Sequence, residues 1–284
     1  MHVSLIQLLI LAIIQGAAEL LPVSSSAHVI VAEKLMGLDP SGPEMTFLLV
    51  MLHTGTMFAV IVYFWRSWRE NYFSSLASFQ SIAIRVTVAS AVTAIVGLAL
   101  KHLIEHLFLK GGEVELLFSQ LPLIAGALCA AGVLIIYAGM LEKKRETTDE
   151  ISMRSSAWIG AVQGLCLPFR GFSRSGATIS TGLLLGIRKI KMEEFSFALA
   201  VVLTPAVIGR ELLRLLHAHA GTAAPALDWH LFGPGFLGML LSFISGLFAL
   251  HFLATVLEKG RWKFFGYYCL LAAAGVTALH FHSQ

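Results

Sequence analysis

Gln15-Gly16-Ala17-Ala18-Glu19-Leu20-Leu21-Pro22-Val23-Ser24-Ser25-Ser26-Ala27-His28 is a polar stretch set between two apolar ones, residues 5–14 and 29–32. A helix over residues 4–21 puts Gln15 and Glu19 four apart, on one face. Pro22 ends that helix, and Ser24 is positioned to N-cap a second one, with Ser25 and His28 on one face of its first turn. An amide, a carboxylate, hydroxyls and an imidazole thus converge where two short apolar helices meet. In a bilayer such groups are costly, so the break reads as a functional site.

Composition supplies the bilayer. Hydrophobic residues make up 57% of the 284 and charged residues 13%, against about 25% charged in soluble domains. The chain reads as one integral membrane domain, residues 1–284. Its three cysteines lie far apart in apolar segments and outline neither a disulfide framework nor a metal site. A net charge of +3 argues against a nucleic-acid partner. The N-terminus does not read as a cleaved leader, because residues 1–8 carry no Lys or Arg and Gln15 and Glu19 interrupt the apolar run.

Six stretches are long and apolar enough to cross: 45–64, 84–101, 116–140, 193–214, 234–256 and 264–281. Residues 4–34 and 155–187 are apolar but broken midway, the pattern of re-entrant helical hairpins. The two breaks resemble each other. Gln15-Gly16 precedes Ser24-Ser25-Ser26-Ala27, and Gln163-Gly164 precedes Ser173-Arg174-Ser175-Gly176. Further on, Glu44-Met45-Thr46-Phe47 and Thr54 match Glu194-Phe195-Ser196-Phe197 and Thr204 at an offset of 150. The expected fold is therefore an all-α polytopic membrane protein with an inverted-topology repeat. Repeat one spans about 1–140, a link about 141–154, and repeat two about 155–284. Three crossings per half invert the second copy, and both hairpin tips meet near the midplane.

Charge orients this scheme. The face bearing the link holds 13 Lys and Arg residues, among them Arg66, Lys143, Lys144, Arg188 and Lys263; the face bearing the termini holds five. The positive-inside rule puts the link in the cytoplasm and both termini outside. The link's own charges read as solvated. Most of the eleven histidines gather toward the outer face and read as scattered rather than as a metal cluster. His53 is expected to line the site and His251 to be a hydrogen-bonded packing residue.

Gly171-Phe172-Ser173-Arg174-Ser175-Gly176-Ala177-Thr178 is the second polar break. Arg174 offers a fixed charge and a fork that suits phosphate oxygens. Ser173 is placed to cap the helix behind it, whose first N–H groups face the same anion. Gly171 and Gly176 let backbone approach closely.

With these motifs in view, the chain resembles, end to end, the bacterial undecaprenyl-diphosphate phosphatases, or bacitracin-resistance proteins. The carriers are residues 15–19, 21–28 and 171–178, with Leu52-His53-Thr54-Gly55-Thr56 and Glu194-Phe195-Ser196-Phe197. The resemblance implies an inner-membrane enzyme with two re-entrant hairpins and an outward-facing site. Such an enzyme removes the terminal phosphate of a polyprenyl diphosphate with a divalent cation, regenerating the lipid carrier for peptidoglycan and other envelope polymers. Two positions depart from the family pattern. Gln15 stands at the first place of its (Glu or Gln)-x-x-x-Glu motif and leaves one carboxylate, and Arg170 replaces the proline that usually precedes Gly171.

The expected chemistry is positioning and charge neutralisation. Glu19, with Gln15, is expected to hold Mg²⁺ or Ca²⁺. Arg174, Arg170, Ser173, Ser175, Gly176 and Thr178, with Ser24 and Ser26, are expected to bind the phosphates. Ser25, His28 or a metal-bound water is the nucleophile, and His28 alternatively serves as base or protonated stabiliser. Partners are the lipid substrate and the surrounding membrane. A polyprenyl-phosphate flippase is the alternative, since inverted repeats are also a transporter plan. The phosphatidic-acid phosphatase superfamily does not fit, because no His followed by Asp comes after Arg174 in the required place.

Overall fold

The computed structural model describes residues 3–38, 43–109, 114–118, 120–141, 147–219, 229–258 and 261–282. Among them the chain is all-helical: α1 (Leu5–Leu20), α2 (Ser25–Leu35), α3 (Pro43–Asn71), α4 (Leu76–Leu107), α5 (Leu121–Leu141), α6 (Met153–Cys166), α7 (Arg174–Leu184), α8 (Lys189–His219), α9 (Trp229–Glu258) and α10 (Trp262–His282). An apolar chain in lipid has to satisfy its backbone within each segment, which helices do.

Among the described residues, five helices have the length and hydropathy of a crossing. They are Phe47–Asn71, Leu76–Leu107, Leu121–Leu141, Gly233–Val256 and Trp262–His282. The expected 116–140 begins too early. Val114–Leu117 forms a 3-10 turn, and the helix starts at Leu121 with Pro122 in its first turn, where a missing N–H costs little. The expected 193–214 lies inside α8, whose first turns carry Lys189, Lys191, Glu193 and Glu194 and whose middle holds Pro205. Of these, Lys189, Glu193 and Glu194 are buried. Glu194 accepts from Ser67 Oγ at 2.5 Å and from Lys191 Nζ at 3.2 Å, tying α8 to α3.

Four helices are short. α1 and α2 have 16 and 11 residues, and α6 and α7 have 14 and 11. At 1.5 Å per residue the longest reaches about 24 Å, less than the ~30 Å hydrocarbon core. Ser4 caps α1 in a reciprocal box with Gln7, and the helix stops at Leu20, two residues before Pro22.

Close approaches fix the helix directions. Along α4 and α6, Thr93 Oγ1 donates to the Gly160 carbonyl at 2.9 Å, and a Cβ on Gly97 would meet Leu167, so the two helices run parallel. Along α1 and α9, Gly238 faces Leu8 and Gly246 faces Leu20, again parallel. α5 and α10 run antiparallel, Gly132 meeting Gly266 and Gly139 meeting Lys263. The main core joins all these layers around Ile179, Phe195, Phe197, Leu250 and Trp262.

The described link residues 147–150 are exposed, as expected of a solvated link, and they still touch the body of the molecule. Thr148 forms an isolated bridge with Ile187, and Asp149 pairs with Arg188 at 3.0 Å, seating residues 147–149 on the α7–α8 turn. Lys143, Lys144 and Arg145, like both chain ends and Lys110, lie outside the described residues. His251 hydrogen-bonds the Leu247 carbonyl and meets Tyr63 edge-on, the packing role expected of it.

Candidate active site

The polar breaks after α1 and α6 come together at one point. Glu19, in the last turn of α1, takes a hydrogen bond and ion pair from Arg174 Nη2 to Oε1 at 2.8 Å. Its other oxygen accepts from Ser25 Oγ at 2.5 Å and from Gln15 Nε2 at 3.2 Å. Ser175 Oγ donates to the Leu21 carbonyl at 3.4 Å, a second bond between the two breaks. The expected group of Gln15, Glu19, Ser25 and Arg174 is therefore assembled by direct contacts.

Two groups in this cluster are left with bonding capacity. Arg174 Nη1 is buried with no hydrogen-bond partner among the described residues, as is Gln15 Oε1. Each such group costs roughly 1–3 kcal/mol if nothing fills it. Arg174 Nη1 is a donor suited to an anion. Gln15 Oε1 is an acceptor beside a carboxylate, which suits a cation. Among the described residues no three of His, Cys, Asp or Glu cluster, so these residues form no all-protein cage. One carboxylate and one amide oxygen fit a hard divalent ion that completes its shell with phosphate oxygens and water.

The turn between α1 and α2 departs from expectation. Ser24 occupies the N-cap position, but its side chain does not cap: φ is +68°, and Oγ lies 3.3 Å from Ser26 Oγ instead. The left-handed backbone carries the side chain away from the first-turn N–H groups of α2, which keep no side-chain cap. Ser173 does cap α7, accepting from Gly176 N at 3.2 Å. Gly171 has φ +105°, and a Cβ there would stand 2.5 Å from the Ile124 carbonyl, so this turn requires glycine. Gly176 is buried against Ile135. Thr178 is fully buried, donating to the Arg174 carbonyl at 2.9 Å and lying 2.6 Å from Ser196 Oγ; it fastens α7 to α8.

Two imidazoles have different surroundings. His28 does not reach Ser25 or Glu19 by any hydrogen bond: Nδ1 is 2.7 Å from the Ser24 carbonyl and Nε2 is 2.8 Å from the Tyr268 hydroxyl of α10. His53, on α3, is the imidazole facing the carboxylate, with Nε2 3.6 Å from Glu19 Oε2 and Nδ1 2.8 Å from the Leu49 carbonyl. His53 was legible as a lining residue. Tyr268 was not, because an aromatic residue in an apolar crossing carries no signal of its own.

Arg170 is exposed, with its guanidinium carbon 4.5 Å from the centroid of the Phe118 ring. Phe118 follows α4, which runs parallel to α6, so the side chain reaches away from the link and not back to that face.

Fold and site together define a multi-pass helical membrane protein with a half-buried carboxylate–arginine–serine cluster built from two broken helix pairs. The chain matches the family described as Bacitracin resistance protein BacA over residues 8–275, and it belongs to that family. It is 60% identical over 280 residues to undecaprenyl-diphosphatase 2 of Acinetobacter baylyi, covering 97% of this chain and 98% of that one. It is 35% identical over 293 residues to the undecaprenyl-diphosphatase of Desulfosudis oleivorans, covering 96% and 97%. The undecaprenyl-diphosphatase of Korarchaeum cryptofilum is 30% identical over 294 residues, covering 96% and 98%.

Proposed function

We infer that this chain is a membrane phosphatase that hydrolyses undecaprenyl diphosphate to undecaprenyl phosphate and inorganic phosphate, and so recycles an envelope lipid carrier and confers bacitracin resistance. The observation that carries the reading is the Glu19–Ser25–Arg174 cluster, with Arg174 Nη1 and Gln15 Oε1 each unpartnered beside it. An arginine donor and an oxygen acceptor left open in one buried place suit a diphosphate with its counter-cation.

Arg174 and the uncapped start of α2 hold the terminal phosphate. Ser24 and Ser26 line that start, while Ser173, Ser175, Gly176 and Thr178 keep the first turn of α7 in position. Ser25 Oγ forms a bond to the terminal phosphorus as the bond to the bridging oxygen breaks, and the lipid phosphate leaves with that electron pair. Glu19 takes the Ser25 proton and passes it to the departing phosphate. Water then attacks the phosphoserine, Glu19 relays its proton back to Ser25 Oγ, and inorganic phosphate is released. Nδ1 of His53 carries a hydrogen because it faces a carbonyl, and the ring is held with Nε2 3.6 Å from the Glu19 carboxylate. Mg²⁺ or Ca²⁺ held by Glu19 and Gln15 would supply charge neutralisation of the diphosphate oxygens. His28, held by Ser24 and Tyr268, anchors the turn. Arg170 is a docking cation at the rim.

The topology we infer is an inverted repeat of two halves, with α1–α2 and α6–α7 as re-entrant hairpins and α8 as the sixth crossing. At 31 residues α8 is about 46 Å long, ample for a crossing. Exchanged packing supports the repeat. α1 lies parallel to α9 of the other half through Gly16, whose Cβ would meet Ser245 at 2.6 Å; α6 lies parallel to α4 through Gly164, whose Cβ would meet Val96 at 2.8 Å. Charge puts the link in the cytoplasm of a bacterial inner membrane and the termini outside, with the site open to the outer leaflet.

Purified protein in detergent, given undecaprenyl diphosphate and Mg²⁺, is expected to release one inorganic phosphate per lipid and to stop when EDTA is added. No release from folded protein refutes the phosphatase reading and favours a flippase, because detergent allows no transport.

A further inference from the structure

We propose that Tyr268 is a positioning residue of this site, fixing through His28 the left-handed Ser24 turn that aims Ser25 at Glu19; the proposal rests on the phosphatase reading above. The Tyr268 hydroxyl lies 2.8 Å from His28 Nε2, and the two rings stack at 11° with centroids 5.6 Å apart. The other ring nitrogen, Nδ1, is 2.7 Å from the Ser24 carbonyl. A carbonyl only accepts, so Nδ1 must carry the hydrogen. In the neutral ring Nε2 is then a bare lone pair, and it accepts from the Tyr268 O–H. The carbonyl therefore selects the tautomer, and the hydroxyl, by donating to Nε2, holds the ring in one plane.

That ring plane has a consequence for the chain. Ser24 is the one described non-glycine residue with positive φ, at +68°. Such a backbone persists only where its surroundings hold it. Its side chain gives no cap to α2, and its carbonyl receives only a long 3.4 Å bond from His28 N besides the ring. The His28 ring is thus the short bond on that peptide, and the next residue is Ser25, whose Oγ meets Glu19 at 2.5 Å. Tyr268 comes from α10, so the turn at the end of α1 is registered against the far half of the molecule. Cys269, its neighbour, lies 3.5 Å from the Pro22 carbonyl of the same turn, a second contact in that register.

Tyr268→Phe keeps the stack and removes only the hydroxyl. It is expected to lower kcat about five- to twentyfold with KM within twofold of wild type, because phosphate binding by Arg174 is untouched while Ser25 loses its aim. Tyr268→Phe with wild-type kcat overturns the proposal, and so does a loss confined to KM. A second readout is independent of turnover. In ¹⁵N-histidine-labelled protein, with the His28 resonances assigned by their loss in His28→Asn, wild type should show the Nδ1–H tautomer with a hydrogen-bonded Nε2, and Tyr268→Phe should move the Nε2 resonance toward that of a lone pair with no donor. An unchanged His28 spectrum in Tyr268→Phe overturns the proposal even if activity falls. Wild type that releases no phosphate refutes the enzymatic reading, and the ¹⁵N comparison still judges whether Tyr268 fixes His28.

Discussion

Replacing Glu19 by Gln keeps the shape of the cluster and removes its one negative charge. In the wild type Arg174 Nη2 stands 2.8 Å from Glu19 Oε1, and the two side chains are 23% and 17% exposed. At an effective dielectric of ~20, two unit charges at that separation attract by roughly 6 kcal/mol. Desolvation offsets part of this, and stripping one partner from a buried pair costs about 3–5 kcal/mol. The amide still accepts a hydrogen bond from Arg174, so the lower end of that range is expected for stability. The loss in rate is separate. Ser25 Oγ donates to Glu19 at 2.5 Å, and an amide cannot take that proton. General-base assistance contributes about 10²- to 10⁴-fold, or roughly 2.7–5.5 kcal/mol of barrier. Glu19→Gln should therefore lower kcat at least about 100-fold in a phosphate-release assay on detergent-purified protein that still elutes as a folded species. Raised Mg²⁺ should restore activity only in part. Turnover within about threefold of wild type would refute the reasoning, leaving Glu19 as a structural counter-ion to Arg174.

Arg174→Lys should lose about 10- to 100-fold in kcat/KM, since a point charge replaces a fork whose contacts are worth about 1.5–3 kcal/mol; equal activity would mean a charge alone suffices. Arg170→Ala should raise KM several-fold with a smaller loss of kcat than Arg174→Ala, and unchanged kinetics at normal yield would remove Arg170 from substrate docking. Gly171→Ala should destabilise the fold by at least about 1–3 kcal/mol in thermal unfolding, because φ is +105° and the Ile124 carbonyl fills the space; a wild-type melting curve would contradict the turn geometry. In intact cells His106→Cys should label with an impermeant maleimide and Glu150→Cys only after permeabilisation, both residues being exposed; the reverse would invert the assigned orientation.

The two breaks and the residues that meet at them were legible because Pro22, the Ser runs and Arg174 are anomalous in apolar sequence. The crossings were legible where helices face lipid, as in α4 and α10. The start of the third crossing was misplaced because Val114–Leu117 forms a 3-10 turn ahead of the helix that begins at Leu121. The capping role of Ser24 failed for a different reason: serine preference assumes an extended cap, and this backbone is left-handed. The attachment of His28 to Tyr268 joins residues 240 positions apart, a contact that only the packing of α2 against α10 creates. Arg170 was readable as an anomaly, while its seat over Phe118 depended on the direction of α6.

The central claim is attack on the terminal phosphorus at the Glu19–Ser25–Arg174 cluster, and hydrolysis in ¹⁸O-labelled water tests it most directly. Mass spectrometry of the products should find the label in inorganic phosphate and none in undecaprenyl phosphate, with both absent when Ser25→Ala replaces the wild type. Label in the lipid phosphate, or phosphate formed at the wild-type rate by Ser25→Ala, would contradict the account.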